Sequence, residues 1–342
     1  MNLLLIGNHF AGPGRNQNAW QDIAQHLRRA GHCVLTASSK PNKYIRLLDM
    51  LSTIFLHQNQ YQIAEVDVFS GQAFYWAEAS CAALRALEKK YILTLRGGEL
   101  PSFARHRQKR VRRLLNSAEA VTAPSRYLAE MMRPYRSDIR LLPNPIEISA
   151  YPFHQRKYVR ATLIWLRAFH AIYNPTLAPK VIELLAPDFP EIHLSMVGPD
   201  KGDGSLLAVK RSSAQLSLTQ CISFPGAIPK SQVPKTLGEA DIFINTTNID
   251  NTPISVIEAM SCGLCIVSTN VGGIPFLLQD GVDALLVPPD DPVEMAKGVR
   301  RILTEPALAA RLSWNARQKA EHFDWSLILP MWEQIFSKGI RP

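Results

Sequence analysis

Short runs of apolar residues alternate with segments of helical periodicity along the whole chain. Between the runs, apolar residues recur every three to four positions, as in residues 20–30 and 292–303. Strands that alternate with helices in this way form parallel sheets covered by helices on both faces. The pattern therefore predicts an α/β protein with Rossmann-like parallel sheets. The predicted strands are residues 3–6, 33–36, 91–95, 120–123, 163–166, 193–197, 242–245, 265–268 and 284–287.

A break in this pattern divides the chain into two predicted domains. Pro143-Asn144-Pro145 ends one series of elements, and residues 151–157 are polar and irregular before a new strand. At about 150 residues per domain, the 342 residues suffice for two domains. Ligands of open α/β sheets bind at the carboxyl ends of strands, so the loops that follow strands are the candidates for chemistry. We predict domains at residues 1–155 and 156–324 and an amphipathic helix at residues 325–342.

The composition is that of an ordinary globular protein and excludes several classes. The chain is 46% hydrophobic and 20% charged, and no stretch approaches the roughly 18 apolar residues of a membrane helix. The apolar run at the start is too short for a signal peptide and lacks its basic segment, so we expect a cytoplasmic protein. Cys262 and Cys265 have CxxC spacing. Without a second pair they predict buried thiols rather than a metal or redox site.

The excess of positive charge lies in the first half of the chain. The net charge is +9, and residues 1–150 account for all of it, with 20 Lys+Arg against 11 Asp+Glu. A run of six basic residues has two interpretations: a solvated helix face, or a surface for anionic lipid head groups or an acidic acceptor. We do not expect nucleic acid binding, because no aromatic residues are interleaved for base stacking. The six residues are Arg105, Arg107, Lys109, Arg110, Arg112 and Arg113.

Two loops that follow predicted strands carry residues suited to a phosphorylated ligand. The first, residues 7–16, contains glycines that allow close backbone approach, but it lacks the GxGxxG of a nicotinamide site. In the second, Thr252-Pro253 marks a helix start. Ser255 and the nearby amides can meet an anion at that helix end, and Glu258, one turn deeper, can accept hydrogen bonds from a ribose. The alternative is an ordinary exposed glutamate.

Short motifs along nearly the whole chain carry a resemblance to a known family. They are Asp250 and Glu258-Ala-Met-Ser-Cys-Gly263, Val271-Gly272-Gly273-Ile274-Pro275, Leu166-Arg167, Val197-Gly198-Pro199, Phe224-Pro225-Gly226 and Ala240-Asp241. With these motifs the sequence resembles the retaining glycosyltransferases of family 4, which have the GT-B fold. The resemblance implies two Rossmann-like domains facing across a cleft, the first on the acceptor side and the second binding the nucleotide sugar. It also implies that the closing helix crosses back to the first domain.

The resemblance implies transfer of a hexose from a nucleotide-diphosphate sugar to a polysaccharide, glycolipid or lipid-linked acceptor, with retention and without a metal or other cofactor. Asp250 would hold the donor sugar, Arg167 the diphosphate and Glu258 the ribose; these are the implied catalytic residues. The implied donor-binding residues are Gly12, Gly14, Gly198, Ile228, Asn251, Thr252, Pro253, Ile254, Ser255 and Tyr173. The implied acceptor-side residues are His9, Arg96, Gly97, Gly98 and Glu99.

Two positions depart from the family pattern. The family usually has glutamate where this chain has Asp250, and lysine where it has Tyr173. The diphosphate thereby loses one positive charge, and a displacement of about 1 Å at the carboxylate can cost about 10²-fold in rate. Two hypotheses follow: a cytoplasmic enzyme peripheral to the inner face of the membrane, or a catalytically weak or inactive relative. The second would act as a polyanion- or membrane-binding assembly subunit.

Overall fold

A computed structural model describes residues 1–7, 19–38, 40 and 42–340. The chain divides into two compact units, one formed by Met1–Pro145 with Trp325–Pro342 and the other by Ile146–Asp324. Each unit is built on one six-stranded parallel sheet. The prediction of an α/β protein with parallel sheets is confirmed, and each predicted strand coincides with or overlaps an observed one.

The first unit has its strands in the order β2-β1-β3-β4-β5-β6, all of them parallel. Helices α2 to α6 pack on one face of this sheet, where residues such as Leu4, Val66 and Leu93 are buried. The strands are β1 (Asn2–Ile6), β2 (Cys33–Ala37), β3 (Ile63–Val68), β4 (Lys90–Leu95), β5 (Ala120–Ala123) and β6 (Arg140–Leu141). The helices are α1 (Ala19–Arg29), α2 (Lys43–Leu56), α3 (Gln72–Ala86), α4 (Leu100–His106), α5 (Gln108–Leu115) and α6 (Arg126–Met132).

The second unit repeats the architecture, with strands in the order β12-β11-β10-β7-β8-β9. Its strands are β7 (Thr162–Leu166), β8 (His193–Val197), β9 (Ile222–Gly226), β10 (Ile242–Asn245), β11 (Cys265–Thr269) and β12 (Leu285–Val287). Its helices are α7 (Leu177–Leu185), α8 (Ser205–Gln215), α9 (Val233–Gly238), α10 (Ile254–Ser261), α11 (Ile274–Leu277), α12 (Pro292–Thr304) and α13 (Pro306–Ala320). Short 3-10 helices lie at Ile148–Ala150, Ala171–Tyr173, Lys230–Gln232 and Glu321–Phe323.

The last helix, α14 (Trp325–Ile340), belongs to the first unit although the chain reaches it from the second. Its Trp332 and Phe336 are buried with α1 on the second face of the first sheet, against residues such as Leu3 and Ile92. Burying a large apolar side chain contributes about 1.5–3 kcal/mol, so these residues fasten the end of the chain to that sheet. Among the residues described, no helix is both long and apolar enough to cross a membrane.

The division between the units falls after Pro145, earlier than the boundary expected at residue 155. The reason is that Ile146, Ile148 and Tyr151 are buried in the apolar core of the second unit. Farther along, the guanidinium of buried Arg156 donates to the Asp241 carboxylate and to the carbonyls of Ala240 and Cys262. The irregular residues that follow Pro145 are thus packed into the second unit.

Three strands were absent from the sequence prediction: β3, β6 and β9. Strand β3 was missed because it contains Glu65 and Asp67, two carboxylates that the pattern treats as surface residues but that are buried. Strand β6 has only two residues, and β9 ends in Pro225-Gly226, which predicts a turn.

The CxxC cysteines lie inside the second unit. Burial raises the pKa of both thiols, Cys262 and Cys265, to about 12. A thiol with so high a pKa carries almost no thiolate at neutral pH and is a poor nucleophile or metal ligand. These side chains therefore act as small apolar residues at the end of α10 and the start of β11.

We predict that the stability of the first unit falls with rising pH because of Glu65. Burial raises the pKa of Glu65 well above its usual range, the Asp67 charge raises it further, and Arg96 and Thr94 oppose the shift only in part. Above the pKa of an unfolded glutamate, the unfolded chain binds fewer protons than the folded one, so the free energy of unfolding declines. Glu65→Gln should remove this decline between pH 5 and 8, measured by urea unfolding. Glu130→Gln, at an exposed position of α6, should keep it; an unchanged slope in Glu65→Gln would contradict the assignment.

Candidate functional site

The candidate site lies in the second unit, where neighbouring strands β7 and β10 end. Arg167 directly follows β7, and the segment from Thr246 to Pro253 joins β10 to helix α10. The carboxyl ends of neighbouring parallel strands meet at one edge of a sheet, so Arg167 and this segment come together. These are among the loops in which the sequence predicted ligand binding.

Arg167 is held on three sides. Its guanidinium forms an ion pair with Asp250, lies 4.0 Å from the centroid of the Tyr173 ring, and places Nη1 3.5 Å from Ser255 Oγ. Tyr173 is itself fixed, since its carbonyl accepts a hydrogen bond from Thr246 Oγ1 at 2.7 Å. A cation on an aromatic face gains about 0.5–2 kcal/mol. Tyr173, at the position where the family has lysine, therefore positions the arginine and supplies no charge of its own.

The loop that carries Asp250 rests on two glycines. A Cβ at Gly272 would lie 2.3 Å from the Asp250 carbonyl oxygen, and one at Gly273 would lie 1.8 Å from that of Asn251. The Gly273 amide also donates to the Asp250 carbonyl at 3.0 Å. Only glycine permits so close an approach. The Gly-Gly motif therefore determines how close the Asp250 loop lies to the loop that carries the glycines.

Gly198, which the resemblance places among the donor-binding residues, packs closely against the Arg167 backbone. Its φ is +151°, and a Cβ there would lie 1.7 Å from the Arg167 carbonyl oxygen. The Arg167 amide in turn donates to the Val197 carbonyl at 3.0 Å. Any side chain at this position would push Arg167 away, so Gly198 fixes the arginine through the backbone.

Helix α10 begins at Ile254, with Pro253 as its N-cap rather than its first residue, and no side chain caps it. Two buried polar atoms near this end have no hydrogen-bond partner among the residues described: Thr252 Oγ1 and Arg167 Nε. An unpaired buried polar group costs about 1–3 kcal/mol. A donor hydroxyl, a guanidinium and a helix N-terminus all favour a negatively charged ligand. This end of the unit is therefore a candidate anion site.

Glu258 lies on α10 and is only 4% exposed, so it is not an ordinary surface glutamate. Its Oε1 accepts a hydrogen bond from Tyr151 Oη at 2.7 Å and also contacts Lys230 Nζ. Neither partner was predicted: Tyr151 lies far away in sequence, and Lys230 starts a short 3-10 helix after β9. Oε2 makes no hydrogen bond to the described residues and stays available to a ligand hydroxyl.

Asp250 is a buried carboxylate. Burial raises its pKa, while the Arg167 charge and the Asn251 amide, 2.9 Å from Oδ1, lower it. The remaining donor-site candidates are less polar: Ile254 and Ile228 are half-buried and pack against the core on the α10 side of the sheet. Asn251 is buried beside Asp250. The structure thus brings together Arg167, Tyr173, Asp250 and Ser255, with Thr252 and Glu258 on the same segment.

In the first unit, Arg96 follows β4 and is buried. Its Nε donates to Asp67 at 2.8 Å and its Nη1 to Asn144 Oδ1 at 2.7 Å, so it is anchored by two residues to which the sequence analysis gave no role at the site. Gly97, with φ +79°, Gly98 and the exposed Glu99 connect Arg96 to α4. The predicted residues His9, Gly12 and Gly14 lie outside the described residues. All six residues of the basic run are exposed.

Within the described part of the chain, no group of three or more His, Cys, Asp or Glu side chains has the arrangement of a metal site. The residues that converge on the candidate site include Arg167 and Lys230, two tyrosines, hydroxyls and two separated carboxylates. This donor set suits an anionic, hydroxyl-bearing ligand better than a cation.

Two family models match the chain. Residues 17–150 match Glycosyltransferase Family 4, and residues 159–319 match Glycosyl transferases group 1. Among curated relatives, a D-inositol 3-phosphate glycosyltransferase of Streptomyces avermitilis is 24% identical over 78% of this chain and 61% of its own length. Another of that name, from Streptomyces bingchenggensis, is 25% identical over 49% of this chain and 41% of its own. The chain thus spans about half the length of these two relatives.

Solved structures share the fold at low identity. Sucrose-phosphate synthase from Thermosynechococcus elongatus superposes with a TM-score of 0.81 at 17% identity, covering 98% of each chain. Anabaena Alr3699/HepE, in complex with UDP and glucose, superposes with a TM-score of 0.78 at 16% identity, over 98% of this chain and 99% of its own.

We predict opposite effects from removing two threonine hydroxyls of the second unit. Thr252→Val deletes a buried hydroxyl without a partner and should raise the free energy of unfolding by about 1 kcal/mol. Thr246→Val is the matched control, because its hydroxyl accepts from Trp165 Nε1 at 2.9 Å and donates to the Tyr173 carbonyl. It should lower that energy by about 1–3 kcal/mol. Urea unfolding measures both; equal losses in the two variants would show that Thr252 is already paired.

Proposed function

Because the chain belongs to the group 1 and family 4 glycosyltransferases, we propose that it transfers a hexose from a nucleotide-diphosphate sugar to a glycan, glycolipid or lipid-linked acceptor. The proposal includes retention of the anomeric configuration and no metal or other cofactor. One observation carries it. Two buried polar atoms, Arg167 Nε and Thr252 Oγ1, have no partner in the part of the chain that the structure describes and lie beside an uncapped helix end, with Glu258 one turn deeper on the same helix.

The leaving diphosphate would rest at the start of α10. Negative charge grows on it as the glycosidic bond breaks, and Arg167 with the α10 amides would stabilise that charge. A charge-assisted hydrogen bond contributes about 1.5–3 kcal/mol and a helix end up to about 2. Enzymatic rate enhancements correspond to about 8–23 kcal/mol, so orientation of the two substrates, worth about 7–11, would supply much of the remainder. The UDP held by Anabaena Alr3699/HepE, a protein of the same fold, supports a nucleotide donor.

Glu258 would bind the ribose through Oε2. Tyr151 and Lys230 both engage Oε1, which fixes the carboxylate plane and leaves the second oxygen for a hydroxyl. Asp250 would hold a hydroxyl of the donor sugar, next to the diphosphate that Arg167 binds. We do not adopt the inactive assembly subunit, because both departures from the family pattern, Asp250 and Tyr173, make defined contacts to Arg167.

The first unit would bind the acceptor. Arg96, anchored by Asp67 and Asn144, would border the acceptor together with Gly97, Gly98 and Glu99. The exposed basic run from Arg105 to Arg113 would face an anionic membrane that holds a lipid-linked acceptor.

We predict donor turnover that depends on Arg167 and not on added metal. The purified protein, incubated with a panel of nucleotide sugars, should slowly release the nucleoside diphosphate from one of them even without acceptor. Arg167→Met should lower this rate at least 10²-fold, because it removes the cation at the leaving group. Arg300→Met, an exposed position of α12, is the control. Strong inhibition by EDTA would overturn the metal-free mechanism, and no release from any donor would overturn the proposed activity.

We predict that Tyr151→Phe weakens binding of a ribonucleotide more than that of its deoxy analogue. The hydroxyl of Tyr151 holds Glu258 Oε1, so its loss should loosen the carboxylate and lower the affinity for UDP about tenfold. The affinity for 2′,3′-dideoxy-UDP, which lacks the diol, should change less than twofold. Calorimetric titration measures both. Equal losses for the two ligands would show that Tyr151 only supports the fold and that Glu258 does not bind the ribose.

A further inference from the structure

Helix α2 of the first unit has an apolar face turned to solvent. Leu56, Tyr44 and Leu48 are 77%, 69% and 66% exposed, and Ile45 and Phe55 are exposed as well. At 100° per residue these five side chains fall within an arc of about 120°, in which Ser52 is the one polar residue. Contiguous exposed apolar surface of this kind marks an interaction site.

Arg46 is a charged residue on the buried side of α2. This arginine is 5% exposed, its guanidinium lies 5.0 Å from the ring centroid of Trp76 on α3, and its Nε donates to the Lys40 carbonyl at 2.9 Å. The inward side of the helix thus takes a charged residue while leucines remain outside. Core packing therefore does not account for the outward leucines.

Helices α4 and α5 of the same unit carry basic side chains without partners among the described residues: Arg105 lies on α4, and Lys109 and Arg113 lie on α5. The side chains of Arg105, Lys109 and Arg113 form no hydrogen bond or ion pair with the described residues. Lys109 and Arg110 also lie in the first turn of α5, where no acidic residue offsets the positive helix end. Cations there are unfavourable by about 0.3–1 kcal/mol. The fold thus concentrates positive charge where an anionic partner could neutralise it.

A groove of about 590 Å³ lies between α3 and α5. It is lined by the basic residues Arg85, Lys109, Arg110 and Arg113 and by uncharged residues that include Ala79 and Ala82 of α3. The single acidic side chain in the groove, Glu78, is already bound to Arg110 at 2.6 Å. A groove of this size and charge fits phosphate-bearing head groups.

Helix α3 contacts both the helix with the apolar face and the helix with the basic residues. Its Trp76 packs on Arg46 of α2, and the adjacent Tyr75 lies 4.7 Å from the guanidinium of Arg110 on α5. All three helices cover the same face of the sheet. From Leu100 to Ser117 the sequence has no Asp or Glu. We call the combination of the α2 face and the α3–α5 groove the docking surface.

We propose that the docking surface binds an anionic lipid bilayer, with the apolar face of α2 entering the head-group region and the α3–α5 groove holding lipid phosphates. This deepens the membrane part of the proposed function by naming the segment that enters the lipid. A second copy of this chain is disfavoured as the occupant, because it would set one basic groove against another. An anionic bilayer supplies both the opposite charge and an apolar layer for Leu48 and Leu56.

The test is flotation with vesicles of phosphatidylcholine, alone or with about one-third phosphatidylglycerol. The wild-type protein should bind only the anionic vesicles. The variant Arg105→Ser/Lys109→Ser/Arg113→Ser should bind about 10²-fold more weakly, since each basic residue near the surface contributes about fivefold. Leu48→Gln/Leu56→Gln should bind the anionic vesicles at least tenfold more weakly. Added salt should abolish the binding that remains, because that binding is electrostatic. Leu184→Gln/Leu207→Gln, exposed leucines of the second unit, is the matched control and should bind like wild type.

Three results would overturn the proposal. One is failure of the wild-type protein to float with anionic vesicles. The second is wild-type binding by the α2 variant. The third is a wild-type dimer that Leu48→Gln/Leu56→Gln converts to a monomer without any vesicle binding, which would make α2 a protein interface. Donor hydrolysis in lipid-free buffer reports on the glycosyltransferase activity separately, so either proposal can fail alone.

Discussion

The candidate site of the second unit depends on the guanidinium of Arg167, which has more N–H donors than it has partners among the described residues. Arg167 has five N–H donors in a fixed fork. Asp250, Ser255 and the Tyr173 ring engage it, yet Nε has no partner among the described residues. Leaving a donor buried and unpaired lowers stability by about 1–3 kcal/mol. In the proposed function, a diphosphate that accepts a hydrogen bond from Nε would recover this energy on binding.

The glycines of the family motifs act through the backbone. Gly198 allows the Arg167 carbonyl to approach, and Gly272 and Gly273 allow the carbonyls of Asp250 and Asn251 to do so. Each position would clash with any Cβ, so each glycine is required by packing between two loops. The positions of the arginine and the aspartate, and hence the distance between the two charges, are therefore set by three residues that need not touch a ligand.

The sequence predicted strands and helices correctly where apolar and polar side chains alternate with the period of that strand or helix. Apolar runs placed β1, β5, β8 and β10, and the Thr252-Pro253 pair placed α10 to within one residue. Strand β3 was missed because Glu65 and Asp67 break the apolar pattern while buried.

Contacts between residues that are far apart along the chain could also not be predicted from the sequence. Tyr151 meets Glu258 across 107 positions, and neither local spacing nor composition contains that pairing. The inversion of α2, with Arg46 inward and Leu48 outward, contradicts the rule that charge faces water, so only the folded helix reveals it.

The two departures from the family pattern compensate each other. A lysine in place of Tyr173 would set a second cation about 4 Å from Arg167, a repulsion of about 4 kcal/mol at an effective dielectric constant near 20. The tyrosine ring attracts the guanidinium instead. With that cation absent, the Asp250 carboxylate neutralises Arg167, and this ion pair carries no net charge. In the proposed function, a diphosphate would be held by Arg167 Nε together with the uncharged donors Thr252 and Ser255 and the α10 amides, so its binding would depend on the geometry of these donors more than on net charge.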